Sequence, residues 1–255
     1  MPIFFRLKIF PAILALSALM TGFSLPVAAE DFNLAGLVRR VEQQYTGQSS
    51  ISRVEMDVVT GHWERHLTME SWSLGRERFL IRILSPAKEK GVATLKVERE
   101  VWNFLPKVDR VIRIPPSMMG GAWMGSHITN DDLVKANHID EDYHFTLLAE
   151  TAEQWTIEGI PRPDAPVIWG KIIYQVRKEP LVPIQIEYYD EEGVLVRRIL
   201  FDDVQTIGER TVPLRMTVLP LEKPDEKTVM HYRDLQFDVE LSEDFFSLAE
   251  LKRRR

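Results

Sequence analysis

VWNFLPKVDRVIRIPPSMMGGAWMGSHITNDDLVK, residues 101–135, is the stretch on which the reading of the whole chain turns. It opens as two short β-patterned runs, residues 101–105 and 108–114. The second alternates around Arg110 and Arg113, and Pro106 and Asp109 flank the turn a hairpin would use. Pro115 and Pro116 stop the second strand. Met118, Met119, Gly120, Gly121, Ala122, Trp123, Met124 and Gly125 then follow without a charge. Methionines, a tryptophan and glycines in this proportion make neither a good strand nor a good helix. They make a soft apolar segment of the kind that re-packs around variable greasy shapes. Thr129 or Asn130 has the character of an N-cap, with Asp131 and Asp132 in the first turn of a short helix through Leu133 and Val134. From these residues alone the loop reads equally as a plug closing the end of a β-sheet or as a lid facing a ligand.

Working outward, residues 31–45 carry Leu34, Leu37, Val38 and Val41 at helical spacing, ended by Gly47 and Ser49-Ser50. From residue 51 the period changes to two. Residues 51–60 set Val54, Met56 and Val58 against Arg53, Glu55 and Asp57, and residues 62–73, 78–84 and 92–98 continue the pattern. Beyond the short helix, further strands are expected over 143–150, 154–160, 171–177, 182–189, 195–204, 212–219 and 228–237. Ser242 with Glu243 and Asp244 signals a terminal helix running into Lys252-Arg253-Arg254-Arg255, a solvated basic end that complements a helix C-terminus. Evenly spaced strands with turn signals between them predict one antiparallel meander closing towards a barrel. No repeat, low-complexity tract or composition shift divides residues 30–255, so they read as a single domain.

Residues 1–29 read as a signal peptide. Arg6 and Lys8 form a positive start, residues 9–19 an apolar run, and Val27-Ala28-Ala29 a small-residue cleavage site. The apolar run is too short and too punctuated for a membrane span. Cleavage there removes two cations and no acid, moving the net charge from −6 to −8, a balance that argues against nucleic acid as a partner. With 45% hydrophobic and 27% charged residues the chain is globular. With no cysteine, it has neither a disulfide framework nor a cysteine for a lipid anchor, and its core must hold it together.

Candidates for chemistry are few. His62 and His66 share a strand face, but four strand residues span ~13 Å, too far for one ion. His138, Asp140, Glu141, Asp142 and His144 form an acidic connector without ligand spacing, which reads as solvated. Ser126 and His127 near Asp131 are triad residue types without a nucleophile-elbow pattern. No phosphate loop or HExxH motif is present. No catalytic residue, metal site or cofactor is therefore assigned.

The succession WNFLP (102–106), DRVIRI (109–114), a Met/Gly segment, MGS (124–126) and a DDL helix start (131–133) resembles the LolA-like periplasmic lipoprotein-carrier family. More narrowly it is similar to the outer-membrane lipoprotein-sorting branch, with the signature P-x-x-x-R-V-x-R-I … MGSD-F-x-x-x-DL. Pro106, Arg110, Val111, Arg113 and Ile114 match its first half, and Met124, Gly125, Ser126, Asp132 and Leu133 its second. GVATL (91–95) resembles the family's G-x-A-x-L strand. His127 departs from the acidic residue usual at that position.

The resemblance implies a mainly β fold, an incomplete antiparallel half-barrel with short helices as its lid. It implies a non-enzymatic periplasmic carrier that holds the acyl chains of a lipoprotein or lipid in an apolar cavity and passes them between membrane components. The partners are then lipid acyl chains and a membrane transporter complex, for a protein acting as a monomer. Each buried CH₂ is worth ~0.8 kcal/mol, so a 16-carbon chain left bare in water stands to lose ~13 kcal/mol. The candidate cavity residues are Met56, Val58, Leu67, Met69, Phe79, Ile81 and Phe104, with Met118, Met119, Trp123 and Met124 as the lid. The loop is expected to govern access while contributing little to stability. The alternatives are an accessory subunit that docks on a lipid-exporting transporter, and a hydrolase.

Overall fold

The computed structural model describes residues 33–135 and 138–253; the expected leader, residues 1–29, lies outside them. Helix α1 (Leu34–Thr46) begins where Asn33 accepts the Gly36 N–H at 2.8 Å, satisfying one of the first-turn donors. It is followed by β1 (Ser49–Val59), β2 (Glu64–Leu74), β3 (Arg78–Ser85), β4 (Ala93–Val97), β5 (Glu100–Leu105) and β6 (Arg110–Arg113). After α2 (Asn130–Lys135) and α3 (Ile139–Asp142) come β7 (Tyr143–Glu150), β8 (Gln154–Pro161), β9 (Lys171–Arg177) and β10 (Val182–Tyr189). The last strands are β11 (Leu195–Ile207), β12 (Arg210–Pro220) and β13 (Lys227–Phe237), and α4 (Leu248–Leu251) ends the described chain.

All 13 strands form one sheet in the order β6-β5-β4-β3-β2-β1-β13-β12-β11-β10-β9-β8-β7, each neighbour antiparallel to the next. The barrel is not closed. Strands β1 and β13 pair in the middle, from Ser50 opposite Phe237 to Val59 opposite Lys227. The two free edges belong to β6 and β7, which are consecutive in the chain. The segment joining them therefore has to cross from one edge of the sheet to the other. Residues 114–135 and 138–142 form a bridge over the open side, which is why so much depends on them.

The alternation expected of β1 holds: Val54, Met56 and Val58 are buried and Arg53 and Asp57 exposed. The buried residues separate by face. On the inner face, Leu37, Val38 and Val41 of α1 cover β8–β10 at Ile157, Ile172, Tyr174 and Ile186. Next to them, Met56, Leu67, Met69 and Ile83 lie under Trp123 and Ile128 of the bridge. On the outer face, Trp72, Leu80, Leu95 and Phe104 are covered by Phe246 and Leu251. Arg82, 2% exposed, holds that cover by donating to the Glu250 carbonyl oxygen at 2.6 Å.

Two local expectations are corrected. The terminal helix does not start at Ser242, whose side chain caps nothing. A 3₁₀ turn, Glu243–Phe245, comes first, and Ser247 caps α4 by accepting the Glu250 N–H at 3.3 Å. The acidic connector is not solvated as a whole. It forms α3, and Asp140 is buried between Arg39 and Arg76, which neutralise it.

Candidate functional site

Beneath the bridge lies a cavity of about 290 Å³, near the lower end of the roughly 300–1,000 Å³ typical of small-molecule sites. Phe79 and Ile81 of β3 form one wall. Tyr174, Ile186, Tyr188, Ile199, Met216 and Val218 of β9–β12 form the other, and Trp123, Ile128 and Leu133 of the bridge form the roof.

The roof is built in two steps. Trp123 starts a 3₁₀ turn, Trp123–Gly125, in which Met124 and Gly125 take φ of 51° and 68°. Glycine suits the second of these because it has no Cβ to clash. The turn is held closely: the Trp123 N–H donates to the Ile128 carbonyl at 2.7 Å and the Ser126 hydroxyl to the Trp123 carbonyl at 2.7 Å. The indole is 1% exposed and donates from Nε1 to Thr94 Oγ1 at 3.0 Å. From β2, the Arg65 guanidinium donates to the Met124 carbonyl. Asn130 Nδ2 donates to the carbonyls of Gly121 (3.1 Å) and Met118 (3.3 Å).

The second step is α2. Thr129 and Asp132 form a reciprocal capping box: the Thr129 N–H and hydroxyl each donate to Asp132 Oδ2 at 2.8 Å, and the Asp132 N–H donates to Thr129 Oγ1 at 3.1 Å. The same carboxylate accepts a two-pronged bond from Arg197 of β11, Nη1 to Oδ2 at 2.7 Å and Nη2 to Oδ1 at 2.8 Å. Arg197 is buried with its guanidinium 4.2 Å from the Tyr188 ring centroid and 4.6 Å from that of Trp169. Burial would push the Asp132 carboxyl up, but the Arg197 charge and the Thr129 bonds outweigh it and hold it below the usual carboxylate value. Burial pushes the Tyr188 phenol up to about 12. The bridge is thereby fastened to the far wall. The motif Asp132 has a structural reason, as start of a helix and anchor of the roof.

His127, at the position that departs from the signature, extends the fastening to β13. Its N–H donates to Thr228 Oγ1 at 3.0 Å, and Nε2 lies 3.0 Å from Glu226 Oε2. The hydrogen bond to His127 is the main reason the Glu226 carboxyl sits below its ordinary value. Ser126 turns away to the Trp123 carbonyl. The two residues weighed as part of a triad thus have separate partners.

One end of the cavity is polar. Glu42 of α1, 7% exposed, lines it together with Ser50, Ser52, Ser71 and Ser73. Arg76 Nη2 is 3.7 Å from Glu42 Oε2, but this guanidinium donates to Asp140 and, at 3.3 Å, to Glu141. Arg39 Nε also donates to Asp140, at 2.6 Å. Burial first, and the neighbouring Asp140 charge second, push the Glu42 carboxyl well above its ordinary value.

Of the residues expected in the cavity, Phe79, Ile81 and Trp123 line it. Met56, Val58, Leu67 and Met69 are wholly buried core below the indole, in the cluster against which Met124 packs. Met119 is half-buried, whereas Met118 is 58% exposed. Phe104 is a correction. It pairs with Ala93 and faces the outer cluster, because its neighbour Asn103 points inward to accept from the Thr94 hydroxyl at 2.7 Å. The expectation of a soft loop is corrected too, since the turn at Trp123 is a pinned plug and a roof at once. The far wall and Glu42 went unpredicted because strand alternation does not say which distant strands face each other. Among the described residues no group of three His, Asp or Glu side chains is placed to hold a metal, and no helix is long and apolar enough to cross a membrane.

Residues 75–253 match a family model described as an uncharacterized protein. No curated protein matches the sequence. Three solved structures share the architecture over nearly their whole length. A DUF1329 family protein from Desulfovibrio piger has a TM-score of 0.78 at 24% identity, covering 85% of this chain and 97% of that one. A domain named as an outer membrane lipoprotein-sorting protein from Vibrio parahaemolyticus has 0.75 at 23%, covering 86% and 98%. A LolA superfamily protein from Nitrosomonas europaea has 0.69 at 23%, covering 84% and 97%. These likenesses establish the fold, the open half-barrel that the sequence motifs implied.

Proposed function

The chain belongs to the family whose model it matches and carries the LolA-superfamily fold, and from that premise we propose that it is a non-enzymatic carrier for an acyl chain. It takes up the chain of a lipoprotein or lipid beneath the bridge and hands it between membrane components, with a transporter complex as donor or acceptor. The observation that carries this reading is the apolar cavity with a tryptophan and a helix as its roof. Its walls offer hydrocarbon and aromatic rings, which is what a chain gaining ~0.8 kcal/mol per buried CH₂ requires. About 290 Å³ suits one chain, so further chains of a lipoprotein require the cavity to widen. The named lipoprotein-sorting neighbour supports the same class of ligand.

An environment-sensitive fatty-acid probe should brighten on mixing with the purified protein and be displaced by unlabelled lipid. A signal no greater than that of an unrelated β protein of equal size would count against the carrier. Its site of action is the periplasm as a monomer, reached through the leader ending near Ala29. Intact-mass measurement of the exported protein should give a chain starting near Glu30; a full-length, membrane-pelleting species would refute this.

Val108, Ile112 and Met118 are exposed along the β6 edge and its flanking turns. They support contact with a membrane partner and keep the accessory-subunit reading alive. That reading predicts partner binding without any probe signal.

A further inference from the structure

Glu42 is an expensive residue for a stable protein to keep. It sits on the buried face of α1 beside Val38 and Val41, and neither carboxyl oxygen has a hydrogen-bond partner in the structure. A buried polar group without a partner destabilises the fold. The nearer cation, Arg76, is engaged by Asp140 and Glu141, and Arg39 donates to Asp140. Around this pole stand three acids, Glu42, Asp140 and Glu141, and two guanidinium groups, Arg39 and Arg76.

Opposite lie four serines in two cross-strand pairs, Ser50 with Ser73 and Ser52 with Ser71. The Ser50 and Ser73 hydroxyls are 2.7 Å apart. All four, with Glu42, line one end of a cavity whose remaining lining is mainly hydrocarbon and aromatic. The other charged lining residues are Asp131, Asp132, Asp142 and three arginines already engaged, Arg76 by Asp140 and Glu141, Arg78 by Glu243 and Arg197 by Asp132. Serines at successive inward positions of two strands leave room where Val54, Met56, Leu67 and Met69 fill it further along. The cavity therefore has an apolar body and one hydroxyl-lined pole containing an unused carboxyl.

Resting on the carrier reading, we propose that Glu42 and these serines receive the uncharged, hydroxyl-bearing headgroup of a single-chain amphiphile whose chain lies in the apolar body. A carboxyl that keeps its proton is both donor and acceptor, as is each serine, and a hydroxyl complements both. An ammonium headgroup would require Glu42 to ionise and a second charge to be desolvated beside Arg76. A carboxylate headgroup would be desolvated beside Glu42, where Arg76 already serves Asp140 and Glu141 and Arg78 already serves Glu243.

The test is displacement of the uncharged probe Nile red by 1-monolauroylglycerol, methyl laurate, dodecylamine and laurate. Monolauroylglycerol should bind at least about ten-fold tighter than methyl laurate, which has the same chain and ester but no hydroxyl. Glu42→Leu should collapse that ratio, and Glu42→Gln, which keeps a donor and an acceptor, should retain most of it. The double variant Ser52→Ala/Ser71→Ala should collapse the ratio independently.

Both Glu42 variants should fold. The raised folded-state value means the wild type loses stability as pH climbs above the unfolded value near 4.5; the variants escape that loss and should melt higher at pH 7, with the gain vanishing towards pH 4. An unchanged ratio in Glu42→Leu, or dodecylamine as the tightest ligand of the wild type, overturns the headgroup assignment alone. Failure of every compound to displace Nile red, or of Nile red to bind, brings down the carrier reading and this inference with it.

Discussion

Trp123→Ala should lower the free energy of unfolding by about 3–5 kcal/mol, the cost of removing a buried aromatic whose space cannot collapse. Three contributions combine. The indole is 1% exposed and covers Met56, Leu67, Met69 and Ile81, so its loss uncovers the inner cluster. It also leaves the Thr94 hydroxyl without its Nε1 donor. Finally, it opens the roof of a cavity that already exists, so the neighbours have nothing to relax against. Met118→Ala, a few residues earlier but 58% exposed, should change stability by no more than about 0.5 kcal/mol. Urea unfolding of both variants checks this. Equal, small effects would mean that the segment is the soft lid its composition suggests.

Arg197→Met should cost about 3 kcal/mol or somewhat more, because it strands the Asp132 carboxylate that anchors α2. Asp132 keeps some contact with solvent, which places the cost at the low end of the range for broken buried pairs. Adding Asp132→Asn should restore part of the loss, since the uncompensated charge disappears along with its partner. The pH dependence has a definite sign. The folded state holds Asp132 below its unfolded value of 3.8, so the stabilisation is complete above that value and is lost as pH falls through the folded one. The gap between wild type and Arg197→Met should therefore narrow in acid below about pH 4. A double variant no more stable than Arg197→Met, at pH 7, would show that the ring stacking of Arg197 outweighs its ion pair.

Local pattern was legible because it is written into neighbouring residues. The period of two in β1 gave the buried set Val54, Met56 and Val58, and Gly47 and Asp132 stand where helix-end chemistry puts them, whereas the Asn33 cap of α1 went unread inside a helix expected from residue 31. The family motifs carried the fold itself. Which faces meet was not legible. Phe104 has the alternation of an inward residue until the pairing of Thr94 with Asn103 fixes the opposite face. Asp140 reads as a surface acid until Arg39, about a hundred residues earlier, is brought to it. The role of Trp123 could not be decided locally either. A Met/Gly-rich segment looks soft, and only the placement of β6 and β7 at opposite edges turns it into a bridge fastened at both ends.

The claim that the cavity beneath this bridge is where the chain lies is tested most directly by filling it. Ile199 of β11 is half-buried and points into the cavity between the two inner clusters. Ile199→Trp adds bulk where space already exists, so the variant should still unfold cooperatively. Titrated with the fatty-acid probe beside the wild type, it should bind at least about ten-fold more weakly, since the added ring occupies volume the chain needs. A folded Ile199→Trp protein that binds the probe as tightly as the wild type would contradict the account, for the chain would then lie somewhere else.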